Sequence, residues 1–199
     1  MPARVRSGLD LRRGERILAV ARRADGGWAV ATSQRLMLAD DAPGADDAPG
    51  AADQPGGAGG AEEPGRLARW WHDVAEAAWD PDDGRIVLRW VDGAPGATIA
   101  LDGPATRLAQ VVRERVTSTY VISQRVPVRG SRGVCVAVRR DVRDGTSFRQ
   151  TVPDDGLGPL RPEVTAQVEA LARDLAEQAG LRPPGGGPQA GDEEVRRPC

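Results

Sequence analysis

The chain of 199 residues has no lysine, so all 27 of its basic side chains are arginine. It has one histidine (His72), one tyrosine (Tyr120), one phenylalanine (Phe148) and two cysteines (Cys135 and Cys199). Each scarcity excludes a chemistry. One histidine supplies neither a histidine pair for a metal nor a histidine-bearing relay. Two cysteines make no zinc or iron–sulfur cluster and no disulfide framework, which points to a reducing compartment and a cytoplasmic protein. Without lysine no G-x-x-x-x-G-K-[ST] phosphate loop can exist, and no G-x-S-x-G elbow is present. No apolar run approaches the ~18 residues of a membrane-spanning helix; Val134–Val138 has five. The arginines of MPARVRSGLDLRRGE are followed by no apolar run, so no secretory signal is expected.

What is there is unevenly spread. The 29 acids leave a net charge of −2, too near neutral for a protein built to coat nucleic acid. Residues 1–39 carry +5, 40–65 carry −7, 66–122 carry −1, 123–150 carry +5 and 151–199 carry −4. Residues 40–65 consist of Ala, Gly, Pro, Asp, Glu and one Gln, and Asp40–Ala45 (DDAPGA) recurs at Asp46–Ala51. With no apolar side chain larger than Ala this stretch cannot offset its ordering entropy, so a disordered acidic loop is expected. It shows no ligand order of a calcium loop. Residues 182–199 read as a disordered tail. Cys199 is the last residue, not fourth from the end, so it is no prenylation site.

Between these stretches, short strand patterns alternate with turn residues. Arg16–Ala21, Trp28–Thr32 and Arg35–Ala39 read as strands, the first two joined by Ala24-Asp25-Gly26-Gly27. Leu67–Val74, Ala75–Trp79, the alternating Ile86, Leu88 and Trp90, and Ala97–Leu101 continue the series. A helix follows, capped by Asp102 or Gly103, with Pro104 in its first turn and Leu108, Val111, Val112 and Val116 as its apolar stripe. Ser123–Val128, Gly133–Val142 and Ser147–Val152 read as further strands. A second helix opens at Pro162 and Glu163, carries Val164, Val168, Leu171 and Leu175, and closes at Gly180.

The fold class is therefore α+β: about seven short antiparallel strands capped by one amphipathic helix, with an appended β-hairpin and C-terminal helix. Three strings, GERILAVA (Gly14–Ala21), VATSQRLML (Val30–Leu38) and WWHDVAEAAWD (Trp70–Asp80), resemble the opening strand, a later hairpin and a Trp-led strand of bacterial pleckstrin-homology-like (PH-like) domains. The composition, that of a GC-rich genome, suits an uncharacterised actinobacterial family of this kind. The resemblance covers about Leu9–Tyr120 and implies a PH-like barrel over residues 1–122. The appended part, 123–181, is expected to pack on it. A fold of this kind implies no activity, which has to be argued from a site.

No catalytic constellation is expected. On a strand, His72 and Asp73 would point to opposite faces and form no dyad. Cys135, alternating with valines, reads as a buried inert thiol. Asp80, Asp82 and Asp83 lie in a Pro-Gly turn that favours Asp for backbone reasons. The remaining lead is basic. Arg129, Arg132, Arg139, Arg140 and Arg143 could line one face able to grip carboxylates or phosphates. Arg12, Arg13, Arg22 and Arg23 form a second patch about the first hairpin, where eukaryotic PH domains hold lipid phosphates. The expectation is a non-catalytic, cofactor-free, metal-free protein-interaction adaptor. It would dock an acidic or extended peptide, through the Arg129–Arg143 region and the exposed face of the second helix or by strand addition at an open edge. The competing expectation is electrostatic binding to nucleic acid or anionic membrane through the two patches.

Overall fold

The computed structural model describes residues 3–40, 67–103 and 106–181. The expected acidic loop, but for Asp40, and the expected tail lie outside the described residues.

After a short helix α1 (Ala3–Ser7), strands β1 (Ile17–Arg22), β2 (Trp28–Thr32), β3 (Arg35–Ala39) and β4 (Leu67–Trp70) form one antiparallel sheet in that order. Leu38 pairs with Leu67 across β3 and β4, so the chain leaves and re-enters this sheet at adjacent positions. A single 3-10 turn (Trp71–Asp73) then leads into a second sheet, β5 (Val74–Asp80), β6 (Arg85–Trp90) and β7 (Ala97–Ala100). Ile86, Leu88 and Trp90 face inward as the alternation requires, while Val87 stays 43% exposed.

Helix α2 (Thr106–Thr119) lies against both sheets, and Leu108, Val111, Val112 and Val116 all enter the core they share with Trp71, Leu36 and Ile99. The proposed caps Asp102 and Gly103 precede it, with Pro104 outside the described residues. The two sheets meet at one corner, through an isolated bridge between Arg23 and Leu101 and a bond from Asp102 N to Arg22 O of 2.9 Å. They do not close into a barrel. That corrects the barrel expectation: among the described residues, apart from the bridge, β1 pairs only with β2, and β5 only with β6. The wedge of α2 fills the gap between the sheets.

Strand β8 (Tyr120–Arg129) starts on the residue after α2, without a loop, and forms a third sheet with β9 (Arg132–Arg140) and β10 (Ser147–Pro153) in the order β10-β9-β8. Helix α3 (Pro162–Gln178) covers one face of it, burying Val168 and Leu175 on Val126, Val134, Val136 and Val138. The opposite face meets the 3-10 turn and β5. The third sheet is thus a middle layer between α3 and the first two sheets, and it begins at Tyr120.

Candidate functional site

A second correction concerns His72. The strand expected over Leu67–Val74 breaks, and His72 sits in the 3-10 turn, buried between the Trp70 ring (6.3 Å, parallel) and the edge of Phe148 (5.6 Å). Its Nδ1 accepts from the Val142 amide at 3.3 Å. Asp73 and Asp141 lie 3.8 and 3.7 Å from the ring nitrogens. Burial pushes the imidazole below its ordinary pKa against the pull of those two carboxylates. With Nδ1 occupied and the ring enclosed, His72 has the surroundings of a packed side chain.

The arginines expected to share a face do not share one. Arg139 is 0% exposed. Alternation along β9 aims it inward, where it donates to the carbonyls of Trp71 (2.9 Å) and Val74 (2.8 Å), to Gln150 Oε1 (3.0 Å) and to Thr119 Oγ1. Tyr120 stacks beneath it at 4.2 Å. All its bonded acceptors are uncharged, and burial lowers its pKa. Arg140, next along the strand, faces solvent. Arg132 at the far end of β9 and Arg129, its partner at the end of β8, stand exposed about 26 Å away at 3.3 Å per residue. Arg143 folds back on Asp141, holding that carboxyl below its usual range.

The second patch divides in the same way. Arg12 and Arg13 precede β1, whereas Arg22 and Arg23 close it, about 20 Å away. Arg23 pairs with Asp25 and Asp40, and Arg22 lies over Trp28 at 5.6 Å. One convergence was hidden in the sequence. Arg12, Arg35 and Arg143, from three separate segments, all approach the Trp70 ring, at 4.7, 5.3 and 5.7 Å. Arg35 is consumed there by the buried Glu15 (2.8 Å). Burial would raise the Glu15 pKa, but bonds from Arg35, Thr32 and the Arg12 amide hold it low.

The concave surface lies elsewhere. Strand β5 is the end strand of its sheet, and its sequence VAEAAWD places alanines at 75, 77 and 78. These small side chains leave a cavity of about 470 Å³ between β5 and α2, lined by Ala77, Trp79, Ile86, Ala109, Gln110 and Arg113 among others. A neighbouring cavity of about 410 Å³ shares Ala77 and Arg113 and runs on to Tyr120, Ser123 and Cys135. Together they make one groove along the β5 edge. Tyr120 closes one side, donating its hydroxyl to the Ala75 carbonyl at 3.0 Å. Cys135 is half-buried rather than fully enclosed, and burial pushes its thiol up, away from thiolate reactivity.

Comparison with protein-family models, curated proteins and solved structures gives no match. Among the described residues no group of three or more His, Cys, Asp or Glu is arranged to hold a metal ion. None of the described helices is long and apolar enough to cross a membrane.

Proposed function

We propose that this chain is a non-catalytic binding module of PH-like type, acting in the cytoplasm as a protein-interaction adaptor whose ligand is an extended peptide laid along β5. The four-stranded and three-stranded sheets in chain order, with α2 wedged between them, support the PH-like reading. The observation that carries the functional reading is the groove itself: an end strand, floored by alanines and walled by a helix. An end strand carries backbone donors and acceptors with no strand beside them. On β5 the Val74 and Ala75 carbonyls are taken by Arg139 and Tyr120, which leaves Glu76–Asp80 for pairing. There, alanine side chains leave an incoming backbone room to reach pairing distance of about 4.8 Å. The docking place thereby moves from the Arg129–Arg143 region and the α3 face to the β5–α2 groove.

The test is a selection of displayed random peptides against the intact protein, repeated with Gln110→Trp, which fills the groove from an exposed helical position. Selected peptides should lose at least ~10-fold in affinity on the substitution, with the thermal midpoint unchanged. Peptides that bind Gln110→Trp as well as the wild type, or that shift the amide resonances of Arg129, Arg132, Arg140 and Arg143 instead, would place the site elsewhere.

The convergence of Arg12 and Arg143 on Trp70 favours a second reading, electrostatic binding to nucleic acid or anionic membrane. Phosphate-dominated binding weakens linearly on a log–log salt plot. It should disappear in the triple variant Arg12→Glu, Arg140→Glu, Arg143→Glu, which spares the buried Arg139. Polyanion binding that survives the triple variant would end this reading.

A further inference from the structure

We infer that the peptide taken by the β5–α2 groove carries an acidic side chain opposite Arg113, flanked two residues away on each side by an apolar one. The inference rests on the groove reading above.

Arg113 stands on α2 where the two cavities join, and it lines both. It is exposed, and among the described residues its side chain makes no hydrogen bond, ion pair or ring contact. Its neighbours differ. Arg89 is engaged by Glu76 and the Pro153 carbonyl, and Arg85 by Asp80 and Asp83. Glu76, the one acid lining either cavity among the described residues, is paired with Arg89 at 3.4 Å. The groove therefore carries a positive charge at its midpoint and apolar or small side chains to either side of it: Ile86 and Trp79 in one cavity, Tyr120 and Cys135 in the other. A guanidinium presents a planar fork of donors that a carboxylate satisfies with two parallel bonds.

The spacing follows from strand geometry. Side chains of an added strand alternate, so residues two apart, about 6.6 Å, share a face. A carboxylate set at Arg113 places its i−2 and i+2 neighbours over the two cavities. The recognised pattern is apolar-x-acid-x-apolar, which fits the stretch of β5 from Glu76 to Asp80 that follows the carbonyls engaged by Arg139 and Tyr120.

Three pools of capped seven-residue peptides test this. All carry Leu or Val at the second and sixth positions, and they differ only at the fourth: Asp, Asn or Lys. The labelled intact protein should be retained by the Asp pool ~10-fold more strongly than by the Asn pool, the size expected of a charge-assisted pair. Arg113→Glu, an exposed helical substitution that should leave the thermal midpoint in place, should reverse the preference toward the Lys pool. Equal retention by the Asp and Asn pools, with both lost in Gln110→Trp, would overturn the acidic-residue assignment while leaving the groove as the docking site. Retention by no pool, or retention indifferent to Gln110→Trp, would overturn the groove reading with it.

Discussion

Arg139 concentrates much of the molecule's polar energetics in one side chain. It reaches Trp71 and Val74 at the start of the second sheet, Thr119 at the end of α2 and Gln150 on β10. A buried cation is costly unless its donors are satisfied, and here neutral oxygens and the Tyr120 face satisfy them. Arg139→Met removes the charge but strands those acceptors, each worth about 1–3 kcal/mol when left unpaired. The expected loss is roughly 3–5 kcal/mol of folding stability, measured by denaturant titration. Arg139→Lys should recover little of it, since an ammonium cannot span the same fork of acceptors. His72 gives a complementary pH effect. Its folded-state pKa is depressed, so the unfolded chain takes up the proton first as pH falls. Stability is then complete above the ordinary value of ~6.5 and declines below it. The thermal midpoint of the wild type should drop between about pH 7 and 5 by more than that of His72→Gln. Equal slopes would remove His72 from the account. In the sequence the apolar alternation around Arg139 was legible, but not its lack of a carboxylate partner. That depends on which elements fold over it.

At the scale of elements, alternation and helical spacing located nearly every strand and both long helices, because those periods are imposed by burying one face. Trp28–Thr32 and Arg35–Ala39 match β2 and β3 to the residue. The Trp71–Asp73 turn escaped because Trp70, His72 and Val74 satisfy strand alternation as well as they satisfy a 3-10 turn. What decides between them is tertiary: the Trp71 indole is fully buried and donates to the Thr32 carbonyl at 2.9 Å. The arginine clusters divide in space for a related reason. Proximity in sequence along an extended strand is distance in space, and alternate residues face opposite ways. The groove was missed because its signal, three alanines on an end strand opposite a helix, has meaning only once the two are packed together. One element-level contact is tight enough to test. A Cβ at Gly133 would lie 2.4 Å from the Val126 carbonyl on the neighbouring strand. Gly133→Ala should pry β8 from β9 and lower the thermal midpoint by clearly more than Gly130→Ala at the adjacent turn, where nothing lies within 4 Å and the cost, about 1–3 kcal/mol, is the left-handed φ alone.

For the molecule as a whole, the three sheets are tied by buried contacts rather than by a linker. Helix α2 passes directly into β8, and Gln150 donates to the His72 carbonyl at 3.3 Å across the layers. Unfolding should therefore be a single transition, with tryptophan fluorescence, which reports mainly on the first two sheets, coinciding with far-ultraviolet circular dichroism. Two separated midpoints would mean that the third sheet and α3 are an independent unit. A different consequence follows from the pairing of Leu38 with Leu67. Strands β3 and β4 already hold their ends at neighbouring positions, so the sheet needs little of the 26 residues between Asp40 and Leu67 to bridge them. A guest domain whose own termini lie close together could take their place. This protein could then carry a reporter at a fixed point of its scaffold, on the opposite sheet from the groove.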